Sequence, residues 1–385
     1  MGLCAFPARS MPTVMSFCIF GLLPFAILLG VSGRIRFLTR IFNCIVLFRC
    51  IHTLNGVVYM EFRRIQRTGG GTFFVCLPKK WAQRNRLERS YVVAISETAD
   101  GRLVIDAKYN VEREPQIVVI KPTPIVDREI VGKYLLGFDI IRVEAKDRIS
   151  PDDRERIRQA SSRLIGLEIV EEDYAKIVMQ CLLEPSAFPP GKILRREYSI
   201  ASSMHRDAFT ALVEGDAQLT KNVIARDNEV NRLYFLLVRI LRTVIQNPSL
   251  SEKLGILPID CLDYRLIASL VEAIGDQSVQ VAESVMMLKG VSVVKELAQL
   301  LLKVHMIAFG AHEDALNAVF SRDVAVAEAV KNERQALADG CKKVETFLRS
   351  QASELAPCIL AAASSMSRIY DYSVDIADLV MPKLP

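Results

Sequence analysis

The sequence predicts an α+β chain of several domains, with a basic β-hairpin unit and a small α/β unit ahead of two bundles of three helices each. The first observation behind this is a duplication. Residues 272–282 and 367–377 share one pattern, Glu272-Ala-Ile-Gly-Asp276 against Ser367-Arg-Ile-Tyr-Asp371, with an acid at the same place on an apolar helical spacing. Residues 207–216 and 314–323 repeat in the same order and again end on Asp216 and Asp323. The second observation is the charge distribution. Residues 60–110 hold ten Lys/Arg against five Asp/Glu, whereas residues 111–385 sum to −5, which is the pattern of a basic head on an acidic body.

The 385 residues, 51% apolar, leave room for two or three folded domains. Residues 1–59 form an apolar leader. Met11 to Gly33 is uncharged and mostly apolar, and Arg34, Arg36 and Arg40 follow it. Two readings of this leader stay open. It is a membrane anchor with the rest of the chain on the cytoplasmic side, or it comes from a start called too early, since a complete soluble domain follows Met60 at once. The nine cysteines show no Cys-x-x-Cys pair and point to a reducing cytoplasm. His52, His205, His305 and His312 make no local triad or metal motif, and His305 and His312, a helical heptad apart, are taken as ordinary helix residues.

Residues 60–110 read as strand, glycine turn Gly69-Gly70-Gly71, strand, a short helix from near Pro78, then a second strand pair, Tyr91 to Ser96 and Arg102 to Asp106, across Asp100-Gly101. A unit this small buries little by itself and is expected to dimerise. Residues 114–188 read as β-α-β-α-β-β, with strands at 116–120, 138–143, 167–171 and 175–182 and helices at 127–136 and 151–164. Ser150-Pro-Asp-Asp supplies cap, first-turn proline and acids for the second helix. There is no glycine-rich phosphate loop, so Gly132, Gly137 and Gly166 are assigned to turns or packing. Pro185, Pro189, Pro190 and Gly191 mark a linker. Helices are then expected at 193–214, 217–246, 259–289, 292–320, 322–350 and 357–381, giving one repeat over 192–290 and a second over 292–381.

The run Glu61 to Leu87, with its strand leading into Leu77-Pro78-Lys79 and a short helix, resembles the AbrB/SpoVT swapped-hairpin DNA-binding domain. The resemblance implies a homodimer with interleaved hairpins and assigns Arg63, Arg64, Arg67, Lys79, Lys80 and Arg84 to the DNA-facing surface. Arg89-Ser90 stands where that family has Gly-Asp. The chemistry agrees, because Arg and Lys neutralise phosphates and a two-stranded ribbon fits a major groove. The helical half resembles the PhoU family of phosphate-signalling regulators, through Asp227-Asn-Glu-Val-Asn-Arg-Leu233 and Glu272-Ala-Ile-Gly-Asp276. Head and body together are similar to archaeal phosphate uptake regulators.

Acids four apart share a helical face, so Glu272 and Asp276 are expected to point together at Asp227 on a facing helix. Such oxygen donors suit a divalent metal or iron (Mg, Mn, Zn or Fe), and the resemblance implies metal binding through such pairs. Asn231 replaces the second acid of the first motif and offers a neutral amide. In the second repeat Ser367 replaces the glutamate, leaving Asp371 and, one turn on, Asp375 as a weaker site. With no paired nucleophile, histidine base or nucleotide loop, no catalysis is expected. The resulting expectation is a cytoplasmic, phosphate-responsive regulator that binds DNA and a phosphate transporter or its signalling proteins. The alternative is a membrane-associated regulator of such a transporter that does not bind DNA, and a third reading is a metal-dependent phosphohydrolase.

Overall fold

The computed structural model describes residues 61–97, 101–107, 115–288, 293–351 and 355–382, so the leader lies outside the described residues. The chain divides at 107/108 into two compact units. In the first, β1 (Gln66–Arg67) pairs antiparallel with β2 (Phe73–Phe74). Gly71 closes their turn at φ +91°, a left-handed conformation that glycine adopts without a Cβ clash. Helix α1 (Lys79–Arg84) follows, and then the hairpin β3 (Ala94–Glu97) and β4 (Leu103–Asp106). Pro78 is the residue that caps α1 rather than the first residue of its first turn. Ser90, in the place of the resembled family's acid, takes the left-handed φ of +68°.

In the second unit, β5 (Ile117–Ile120), α2 (Val126–Leu135), β6 (Ile140–Glu144), α3 (Pro151–Ser162), β7 (Leu167–Glu172) and β8 (Lys176–Cys181) follow in the expected order. The sheet runs β5-β6-β8-β7, parallel only at β5/β6. One sheet face contributes Ile120, Ile141, Val143, Ile177 and Met179 to a core closed by Val126, Ile130 and Tyr134 of α2 and Ile157 of α3. Ser150 caps α3 as its sequence suggests, accepting from Asp153 N at 3.1 Å. Gly137 and Gly166 are turn residues at φ +91° and +75°, and Gly132 lies inside α2.

The helical half consists of α4 (Pro190–Glu214), α5 (Ala217–Gln246), α6 (Pro248–Leu254), α7 (Asp260–Met287), α8 (Lys295–Ser321), α9 (Val324–Asn332), α10 (Arg334–Gln351) and α11 (Ala356–Ala377). α4, α5 and α7 pack as one bundle, and α8 packs with α9, α10 and α11 as the other. α7 lies against α11, so a single apolar core runs through both bundles.

The duplication is visible in the local chemistry. Gly215 and Arg322 both end their helices in the left-handed region, at φ +72° and +56°. Asp216 then caps α5 by accepting from Gln218 N and Leu219 N, and Asp323 caps α9 by accepting from Ala325 N and Val326 N. Ser278 and Ser373 occupy matching places and donate to the carbonyls of Ile274 and Ile369.

Two features depart from the expected helices. α6 adds a turn capped by Asn247 and ended by Gly255 at φ +61°. The helix expected over 322–350 breaks at Glu333, where the Tyr370 hydroxyl of α11 donates to Val330 O at 2.7 Å and takes up a carbonyl from the last turn of α9. The α/β unit is fastened to the first bundle by Arg239 of α5, which is 4% exposed. Its guanidinium donates to Tyr134 O at 2.6 Å and Phe138 O at 3.0 Å and lies 4.8 Å from the Tyr134 ring centroid.

Candidate functional site

The acids of the first repeat sit half-buried on helices held apart by apolar packing, with Val230 of α5 and Met204 of α4 filling the space beside Gly275 of α7. Asp227 and Asn231 share one face of α5, and the Asn231 amide donates to Asp227 Oδ2 at 2.8 Å. Burial first, and then the negative field of Asp276, raises the Asp227 carboxyl above its ordinary value, against the lowering effect of the Asn231 amide. Asp227 Oδ1 is buried and has no hydrogen-bond partner among the described residues.

Glu197 of α4 completes this acidic interior, and sequence reasoning missed it. The residue is fully buried, with neither carboxyl oxygen hydrogen-bonded among the described residues. Burial pushes its carboxyl well above the usual range, Glu272 pushes it further, and Arg265 opposes both. The negative field of Asp276 is felt at Asp227 and that of Glu272 at Glu197, so the acids of α4, α5 and α7 influence one another across the bundle. An isolated buried carboxylate is costly, so these groups either carry protons or face a cation. The donors are oxygens, which suits a hard cation at Asp227 and Asp276. Among the described residues no three or more His, Cys, Asp or Glu side chains converge as a metal site.

Three arginines of these helices make contacts of their own. Arg226 pairs with Asp207 and donates to Ser203 Oγ at 2.6 Å, and Arg239 lies 3.6 Å from Asp139. Arg265 stands 4.6 Å from the Tyr234 ring centroid. In the second repeat Asp371 pairs with Arg334 at 3.0 Å. Burial, followed by the charges of Asp371 and Asp378, raises Asp375 to about 6.

In the first unit, Arg63 and Arg64 lie on the extended segment before β1, Arg67 on β1, and Lys79, Lys80 and Arg84 on α1, all of them exposed. Arg63 pairs with Glu61, and the Arg67 guanidinium lies 5.6 Å from the Phe73 ring centroid. Large apolar side chains share this surface, among them Phe62 at 88% exposed, Ile65, Phe73, Val92, Ile95 and Leu103. Ala107 is the one residue of the unit that is buried among those described.

The histidines also gather where their spacing gave no local motif. His205 of α4 and His312 of α8 face each other with Nδ1 and Nε2 3.1 Å apart, and the rings of His205 and His305 are 4.8 Å apart.

The PhoU domain family matches residues 194–285, so the first three-helix bundle is PhoU-like. Two solved structures are similar to the chain. PhoU from Pseudomonas aeruginosa matches at 20% identity and a TM-score of 0.45, over 51% of this chain and 95% of that one. The phosphate transport system regulatory protein PhoU from Streptococcus pneumoniae matches at 15% identity and 0.42, over 50% of this chain and 91% of that one. No curated protein matches.

Proposed function

We propose that this chain is a phosphate-responsive regulator that binds DNA as a homodimer through residues 61–107 and senses phosphate status through its PhoU-like helical body. The observation that carries the reading is the pairing of a PhoU domain over 194–285 with a separate basic unit whose six named cations are all exposed. The apolar surface of that unit supports dimerisation, since Phe62, Ile65, Phe73 and Leu103 are side chains that a second copy would cover. The buried Asp227 Oδ1 supports a divalent cation at Asp227 and Asp276, with Glu197 and Glu272 as the adjoining acids. Phosphate transporters or their signalling proteins are the partners this reading assigns to the body. It assigns no chemical reaction, because the site offers carboxylates without a nucleophile and base in register.

The test is fluorescence anisotropy of the full chain on duplex DNA from upstream of phosphate-transport genes, at two salt concentrations. A variant with Arg63, Arg64, Lys79 and Lys80 changed to Ala is measured beside it. The reading expects binding that weakens steeply with salt, and a variant whose log-log salt slope is shallower by up to ~0.9 for each phosphate that it no longer neutralises. Equal binding by the two proteins at both salts would remove the head from DNA recognition.

A further inference from the structure

The two repeats meet at a pair of equivalent residues. His205 lies two residues before Asp207 and His312 two before Asp314, so both stand at the same place in their repeats, 107 residues apart. Their neighbours are equivalent as well. Tyr198, seven residues before His205, has its hydroxyl 2.9 Å from His312 Nδ1, and His305, seven before His312, has its ring against His205. The contact between α4 and α8 is thus a pseudo-twofold one in which each repeat offers its histidine to the other, as in an isologous interface.

Aromatic side chains seal the cluster. Phe209 stacks on His305 with centroids 4.1 Å apart, and Phe309 meets His312 at 4.7 Å. His205 and His312 are fully buried, and His205 Nε2 and His305 Nδ1 have no hydrogen-bond partner among the described residues. Between His205 Nδ1 and His312 Nε2 there is room for one proton at 3.1 Å. In one tautomer His205 Nδ1–H donates to His312 Nε2, and His312 Nδ1–H donates to Tyr198 Oη. In the other the Tyr198 hydroxyl donates to His312 Nδ1, and His312 Nε2–H donates to His205. Either chain is complete with neutral rings. A further proton has two places to go, and both are disfavoured in this apolar interface: between the facing nitrogens it sets two N–H groups against each other, and on His205 Nε2 it leaves a buried cation with no acceptor among the described residues.

We propose that the His205–His312 dyad is an acid-released latch between the two repeats, holding α4 on α8 while one proton is shared and letting them part when a second enters. The charges around it favour release over accommodation. Among the described residues, the ionisable groups that act on the three rings are the rings themselves and Arg206, and all of them oppose an added proton. Glu313 and Asp314 act on Tyr198. On the neighbouring helices, Arg226 with Asp207, the acids Glu197, Asp227, Glu272 and Asp276, and Lys331, Arg334, Asp371 and Asp375 are absent from the groups that shift the rings. Burial, the largest cause, holds His305 near 4 and His312 near 3 and places His205 well below its ordinary value. The latch stands on this contact alone and does not depend on DNA binding.

The experiment follows hydrogen exchange of α4 and α8 peptides in the full chain from pH 7 to 4, corrected for intrinsic rates. Imidazole NMR on histidine-labelled protein runs beside it, with the variant H205N/H312Q, which keeps one hydrogen-bonding group on each side without a titrating ring. The latch predicts that wild-type protection of α4 and α8 falls about tenfold or more as the pH drops below the ordinary imidazole value of about 6.5, because the rings of the open form take up protons there while those of the closed form resist them. The variant is expected to keep its protection within about twofold. Ring protonation without loss of protection, or an equal loss in the variant, would overturn the latch. If the variant does not fold, wild-type protection of α4 and α8 that stays level from pH 7 to 4 overturns the latch.

Discussion

Replacing Arg239 with Ala tests how the α/β unit is coupled to the helical body. The guanidinium donates to Tyr134 O at 2.6 Å and Phe138 O at 3.0 Å, and reaches Gly137 O at 3.4 Å, at and just beyond the C-terminal end of α2, where Tyr134 O also accepts from Gly137 N at 3.0 Å. Hydrogen bonds to a charged group contribute about 1.5–3 kcal/mol each, so the two shorter ones alone set the scale. The Asp139 carboxylate, 3.6 Å away and about a third exposed, adds little. Losing both of the shorter bonds costs about 3–5 kcal/mol, since Phe138 O loses this donor and Tyr134 O keeps only its bond from Gly137 N. The assay is urea unfolding followed by far-UV circular dichroism. The variant should lose about 3–5 kcal/mol or show the α/β unit melting in a separate first transition. The control Asp139→Asn, whose amide oxygen still accepts from Gln116 N, should lose less than about 1 kcal/mol. A loss below about 1 kcal/mol for Arg239→Ala, with one transition retained, would refute the reasoning.

Four further outcomes are expected. Gly166→Ala should destabilise by about 1–3 kcal/mol in the same urea assay, since φ is +75° and an added Cβ would come within 2.4 Å of Leu183 Cγ. Asp375→Asn should raise the melting temperature at pH 7.5. The folded-state value near 6 exceeds the ordinary 3.8, so the ionised carboxylate penalises folding above pH 6 and the penalty disappears as the pH falls toward 4. Asp375 is only half-buried, so the gain is discounted to about 1 kcal/mol and should vanish at pH 4 in a calorimetric series. Adding Mn²⁺ or Mg²⁺ in weakly buffered solution should release protons, because burial raises Glu197 well above, and Asp227 above, the usual carboxylate range. The double variant Glu272→Ala with Asp276→Ala should keep its circular dichroism and lose metal uptake, and full metal content by elemental analysis would rule out that site.

The elements were legible in the sequence wherever a local signal marked them. Ser150, Asp216 and Asp323 announce helix starts, and Gly71 and Gly166 announce turns, because capping and φ are properties of a few neighbouring residues. Asn247-Pro248 and Gly255 carried the same signals for α6, yet the apolar spacing that set the expected helices passed over so short a segment. The break at Glu333 was not legible, since its cause is a hydroxyl 40 residues away on α11. Helical spacing placed Asp227, Glu272 and Asp276 on inward faces but could not say which acids would meet. Glu197 escaped because a single glutamate on an amphipathic helix reads as a solvated position. Aligning the repeats does put His205 and His312 in register, yet only the packing of α4 on α8 reveals that equivalent residues face one another.

The most direct test of the central claim is occupancy of the promoters of phosphate-transport genes by this chain, measured by chromatin immunoprecipitation in cells moved from phosphate-rich to phosphate-poor medium. The account predicts occupancy that changes with phosphate and is abolished when Arg63, Arg64, Lys79 and Lys80 are changed to Ala. Occupancy that is the same in both media, or that persists in the variant, would contradict it.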